Sequence, residues 1–107
     1  MKKIHLVFLL IALLLGCSST GTVSHIDEKS LKVKLGDSKS RVQEIFGKIG
    51  HRSFNGNREV WQYCTTGFSS DKYVFIWFVD EEVISVTTRN GYSSGICNEH
   101  FFTIDWS

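Results

Sequence analysis

The sequence predicts an α+β domain, with one or two short N-terminal helices packed on a three-stranded antiparallel sheet. Three observations predict it. Val42, Ile45 and Phe46 follow the i, i+3, i+4 spacing of a helix face, and they precede every strand-like run. Three runs rich in β-branched and aromatic residues then follow closely, Glu59 to Thr65, Lys72 to Val79 and Val83 to Thr88. Only Asp80, Glu81 and Glu82 separate the last two, a connection too short for a crossover, so these neighbours run antiparallel.

Taken in order, the chain opens with Lys2 and Lys3, continues through apolar Ile4 to Leu15 interrupted by His5, and reaches Gly16 and Cys17. That is the layout of a secretory signal. As a helix the apolar run rises only about 18 Å, short of the ~30 Å hydrocarbon core, so a cleaved leader is favoured over a permanent span. Leu14-Leu15-Gly16-Cys17 resembles the lipobox of bacterial lipoproteins, and the resemblance implies cleavage before Cys17 with acylation, palmitate included, of its sulfur and its new amino group. Two or three acyl chains at ~0.8 kcal/mol per buried methylene hold a protein stably where one would not. Ser18 stands where an inner-membrane retention signal would place an aspartate, so the resemblance implies a lipid anchor on the periplasmic side of the outer membrane. The chain divides accordingly into a signal peptide over 1–16, a flexible tether over 17–26 and a domain over 27–107.

Cleavage removes sixteen of the 107 residues and leaves 91, enough for one small domain. Lys2 and Lys3 leave with the leader, so the 12 basic residues fall to ten against 11 acidic ones. No basic block remains to neutralise phosphates, and a nucleic-acid partner is not expected. With Cys17 given to lipid, Cys64 and Cys97 remain as an even pair in an oxidising compartment, and a disulfide between them is expected. A zinc site that adds His51 and His100 to them lacks any CxxC or HxxxH spacing. No metal, cofactor or small-molecule substrate is therefore expected.

Within the tether, Ser18 to Ser24 is small, polar and without apolar periodicity. Asp27 to Leu35 fits two readings, a strand through alternating Leu31, Val33 and Leu35 or a helical turn behind its acidic start. Ser38 or Asp37 caps the next helix, Val42, Ile45 and Phe46 face inward, and Gly47 ends it in the left-handed conformation. "KIGHRSFNGNRE" reads as a loop or hairpin arm because of its glycines and asparagines. In the middle strand Tyr73, Phe75, Trp77 and Val79 point one way and Val74, Ile76 and Phe78 the other, so both sides of the sheet are apolar. Either another helical turn, the Phe54 loop or the C-terminal segment covers the second side, or Phe54, Tyr73, Phe75 and Trp77 form an exposed interface for a partner. The tail, with Phe101, Phe102, Ile104 and Trp106, is too apolar to fray. It adds a fourth strand or caps the open face, pinned by the cysteine pair.

The run "LKVKLGDSKSRVQEIFGK", followed by "VWQY" and two further strands, resembles the SmpA/OmlA (BamE-like) family of small outer-membrane lipoproteins. Gly36 and Ser38 before the helix, Val42 within it, Gly47 after it and the alternating Trp61 and Tyr63 carry the resemblance over roughly residues 27 to 89. It implies two short helices on a three-stranded antiparallel sheet, an envelope address, and work in outer-membrane protein assembly or envelope integrity through an envelope protein partner. Asp37 and Lys48-Ile49 stand where the family usually has methionine and proline, and this chain has no proline.

The residues argue against an enzyme. Nucleophilic catalysis needs a serine or cysteine beside a positioned base, but the serines lie in tether, cap and turn contexts. His25, His51 and His100 belong to tether, loop and tail, outside any catalytic motif. Consecutive Asp80, Glu81 and Glu82 fan outward on a turn and read as solvated rather than as paired catalytic carboxylates. A non-enzymatic lipoprotein acting as an interaction or scaffold module is the expectation. The alternative is an inhibitor or binding module that docks Ser53 to Arg58 into a periplasmic enzyme.

Overall fold

The computed structural model describes residues 25–93 and 95–107; the leader, Cys17 and the tether up to Ser24 lie outside the described residues. Helix α1 spans His25–Lys32 and α2 spans Lys39–Phe46. Strands β1 (His51–Asn55), β2 (Arg58–Thr65), β3 (Ser70–Val79) and β4 (Glu82–Tyr92) follow, then a 3-10 turn at Cys97–Glu99.

The ambiguous Asp27 to Leu35 segment is helical through Lys32. Asp27 and Glu28 occupy its first turn and Lys29 and Lys32 its last, charges that complement the helix dipole at both ends. The tether ends earlier than residue 26, because Ile26 is buried in the core, where Val33 joins it. Ser38 rather than Asp37 caps α2, its hydroxyl accepting from the Arg41 N–H at 3.2 Å. Asp37 instead turns back, its carboxylate accepting from the Lys34 N–H at 2.8 Å to tighten the helix connection. Gly47 does end α2 at positive φ, but with φ 80° and ψ −140° it takes the mirror-extended conformation rather than the left-handed helical one.

The sheet has four antiparallel strands in the order β1-β2-β3-β4. Its fourth strand comes from the segment that the sequence marks as a loop or hairpin arm. Asn55 pairs with Arg58 across a two-residue turn, and Gly56 supplies the positive φ of 63° that such a turn requires. Asp80 and Glu81, at φ 51° and 73°, make an equally tight turn between β3 and β4, with Glu82 already in the strand. The register shifts beside Trp77 and Phe78, which face Ser85 and Val83 and leave Ile84 as the extra residue of a bulge.

The C-terminal tail is not a strand. Residues 100–107 cross one face of the sheet without joining its ladder. The place of attachment fits this: Cys64 and Gln62 of β2 hold the tail from side chains on that face, over the sheet rather than beside an edge strand. Two cores result. Between helices and sheet lie Ile26, Val42, Trp61, Val74, Ile76 and Phe78, among others. Between sheet and tail lie Val60, Tyr73, Phe75 and Cys97, with Phe101, Phe102, Ile104 and Trp106 over them.

Candidate functional site

Three attachments hold the tail over the aromatic face. Cys64 and Cys97 are joined, with an S–S distance of 2.07 Å and a Cα separation of 6.1 Å. Gln62, fully buried on the same face, donates from Nε2 to the Phe102 carbonyl at 2.7 Å and accepts at Oε1 from the Phe102 N–H at 2.9 Å. One amide thus meets both backbone groups of one tail residue, as a neighbouring strand would. The rings complete the seal. Phe102 meets Tyr73 edge-on at 4.9 Å, Trp106 meets Trp77 at 6.3 Å, and the Arg58 guanidinium lies 5.1 Å from the Trp106 ring.

This arrangement corrects the exposed-interface expectation. Tyr73 and Phe75 are 2 % and 6 % exposed, and Trp77 is half-buried beneath the tail, so these three are core. Only Phe54, 68 % exposed on β1, remains at the surface. The residues that carry the family resemblance have structural work. Gly36, at φ 90°, donates its N–H to the Val83 carbonyl at 2.8 Å, while Val42, Trp61 and Tyr63 fill the helix-side core. The Tyr63 hydroxyl is buried and finds no hydrogen-bond partner among the described residues, and burial pushes its pKa up.

The polar groups outside the core are engaged with one another. The Glu59 carboxylate accepts from Lys39 at 2.9 Å, from Arg52 Nε at 3.2 Å and from the Trp61 indole N–H. Burial alone would raise its pKa, but these three donors outweigh burial and hold it below the ordinary carboxylate range. Burial likewise works to lower Lys39, and its bonds to Glu59 and Glu81 outweigh that and raise it. Asp80 accepts from Asn57 at 3.1 Å, and Glu81 lies 3.0 Å from Lys39, so the acidic turn is tied down rather than gathered toward a reactive centre. The His51 ring stacks on Phe101 at 5.6 Å, and exposed His100 borders a groove described below. Among the described residues no three His, Cys, Asp or Glu side chains are grouped to hold a metal.

Gln62 and Glu59 escaped the sequence reading. The available signal was the alternation in β2, which places Gln62 on one face with Val60 and Cys64, and an amide at an interior position must find partners.

What the fold leaves open, among the described residues, are the outer edges of β4 and of the much shorter β1, and apolar side chains at both ends. On the outer edge of β4, the Val83 N–H donates to the Asp37 carbonyl at 2.9 Å, and Ser38 bridges Glu82. From Ile84 to Tyr92 the outer edge has no further backbone partner among the described residues. Along its tail side runs a groove of about 760 Å³ lined by Tyr73, Arg89, Tyr92, His100 and Phe102 among others, with no carboxylate in its walls among the described residues. The Arg89 guanidinium lies 4.2 Å from the Phe102 ring centre. At the end where β2 passes to β3, Phe68 is fully exposed, with Tyr92 at 96 % and Ile96 at 54 %.

No family model, no curated protein and no solved structure matches this chain.

Proposed function

We propose that this chain is a lipid-anchored envelope protein, held through Cys17 at the periplasmic side of the outer membrane, that works by binding a protein partner rather than by catalysis. The address rests on the lipobox-like Leu14 to Cys17 sequence together with the Cys64–Cys97 pair, which suits an oxidising compartment. The observation that carries the binding role is the contrast between two sealed sheet faces and the open edge of β4. An unpaired edge of this length, without proline or lysine, is a template for another strand. An extended segment of the partner adds beside Ser85 to Tyr92, with apolar side chains in the groove and an acidic one near Arg89. Self-pairing is the poorer fit, because a two-fold β4 pair centred on this segment brings the Arg89 side chains of two copies close together with no acid between Val83 and Tyr92.

A photo-crosslinking amino acid in place of Thr88, compared with one in place of exposed Gln43 on α2, tests the edge. The expected result is an adduct to one envelope protein from Thr88 alone; equal labelling from both sites, or none from either, sinks the binding role. Identification of the adduct as a barrel-assembly component, with reduced outer-membrane protein levels in a deletion strain, supports the assembly role that the resemblance to SmpA/OmlA proteins suggests. Exposed Phe54 on the β1–β2 hairpin favours a second reading, an inhibitor module. It predicts one periplasmic enzyme crosslinked from Phe54, with activity that falls as the lipoprotein is added.

A further inference from the structure

Exposed apolar side chains lie at both ends of the domain, and the path of the chain distinguishes the two ends. Phe54 lies on the β1–β2 hairpin, and Ile84 lies in the β4 bulge near the β3–β4 turn. Phe68, Tyr92 and Ile96 lie at the opposite end. Tyr92 pairs with Ser70 just after the Phe68 loop, and Ile96 precedes Cys97, whose N–H donates to the Thr66 hydroxyl at 3.4 Å.

The folded chain begins at this same end. Asp27, in the first turn of α1, accepts from Lys72 near the start of β3 at 2.9 Å, and Ile26 shares a small cleft with Cys64, Thr65 and Asn98. Between Cys17 and α1 stand Ser18 to Ser24, a stretch that fully extended reaches at most about 25 Å. The far hairpins lie a further ~30 Å along the length of β3.

We propose that the end carrying Phe68, Tyr92 and Ile96 rests on the phospholipid bilayer and inserts these side chains into its interface. The proposal rests on acylation of Cys17. Phenyl and phenol side chains suit this layer, where the ring enters the apolar boundary and the Tyr92 hydroxyl stays among the headgroups. Three such side chains would bind a membrane only weakly from solution. A short tether makes the contact intramolecular, and the high effective concentration populates it. Seated this way, the domain stands with β4 running away from the membrane, and its open edge is clear of lipid from Ile84 up to the residues next to Tyr92.

The test uses the full acylated chain in vesicles of phosphatidylethanolamine and phosphatidylglycerol that carry a nitroxide near the headgroup end of one acyl chain. A fluorescent amino acid replaces either Phe68 or Phe54, two exposed positions at opposite ends. The expected result is at least twofold quenching at position 68 and none at 54. Quenching equal at both positions, confined to 54, or absent from both, in protein whose intact mass shows the acyl chains, overturns the proposal. A mass without acyl chains overturns the anchoring itself, and this separate readout distinguishes the two failures.

Discussion

On one face of the sheet, α1 and α2 set Ile26, Val33 and Val42 against Trp61, Val74, Ile76 and Phe78, and the helices satisfy their own backbones. On the other face, residues 100–107 lie without regular structure over Val60, Tyr73 and Phe75. The two covers bury similar chemistry by different means. A helix brings its hydrogen bonds with it and needs only an apolar stripe, whereas an irregular segment needs partners from the surface it covers. Here those partners are a disulfide, one glutamine amide and a set of aromatic edges. Packing therefore governs the helix face, and discrete attachments govern the tail face.

The largest expected effect strikes the packed face. Phe78→Ala should cost about 4 kcal/mol in urea unfolding, the usual loss for a fully buried ring; a cost below ~1 kcal/mol would mean that this core is not what holds the sheet and helices together. Next comes the staple. Replacing Cys64 and Cys97 by serine frees a loop whose closure is worth roughly 3.7 kcal/mol on the chain-entropy model. Hydrogen exchange should then rise sharply in the tail while Val74 and Ile76 stay protected, and uniform exchange across both faces would erase the proposed distinction.

Gln62 gives a finer probe of the same face. Gln62→Leu strands the Phe102 N–H and carbonyl and should cost about 2 kcal/mol. Gln62→Glu keeps the acceptor for the N–H but turns a second oxygen toward the carbonyl unless it is protonated. Burial raises the folded pKa of such a carboxyl above its unfolded value, so Q62E should be most stable below the ordinary carboxylate range and lose stability as pH rises through the folded pKa. A flat profile for Q62E would show that the clamp does not bear on the tail.

The smallest effect belongs to Glu59. Its folded pKa lies below the ordinary carboxylate range, so its contribution is present above that range and lost as pH falls through the lower folded pKa. Glu59→Gln should cost about 1 kcal/mol at neutral pH and flatten the acid limb of the stability profile. Unchanged acid sensitivity would assign that limb to other carboxylates.

The elements with strong local patterns were legible in the sequence. Val42, Ile45 and Phe46 marked α2, and alternation marked β2, β3 and most of β4. Strand β1 was not, because "HRSFN" offers one large apolar residue and exists as a strand only by pairing with β2. Alternating Leu31, Val33 and Leu35 concealed α1, whose helical part ends at Lys32 before the alternation is complete. The tail's apolar content announced that it would be buried, but not where. Its position depends on Gln62 and Phe102, forty residues apart in sequence, a pairing that no local pattern encodes. The open edge of β4 was equally hidden, since an edge is defined by what fails to pair with it.

The Cys64–Cys97 bond also imposes an order of events on the maturing chain. The helix-side body can assemble from noncovalent contacts alone, but Tyr73 and Phe75 have only a loosely attached cover until the two thiols are oxidised. A chain under reducing conditions is thus half sealed, with an aromatic flank that only Gln62 and ring contacts cover. In an exported chain of the kind proposed above, this delay would keep the tail face open until an oxidising compartment is reached. Closure of the Cys64–Cys97 bond then seals the second face.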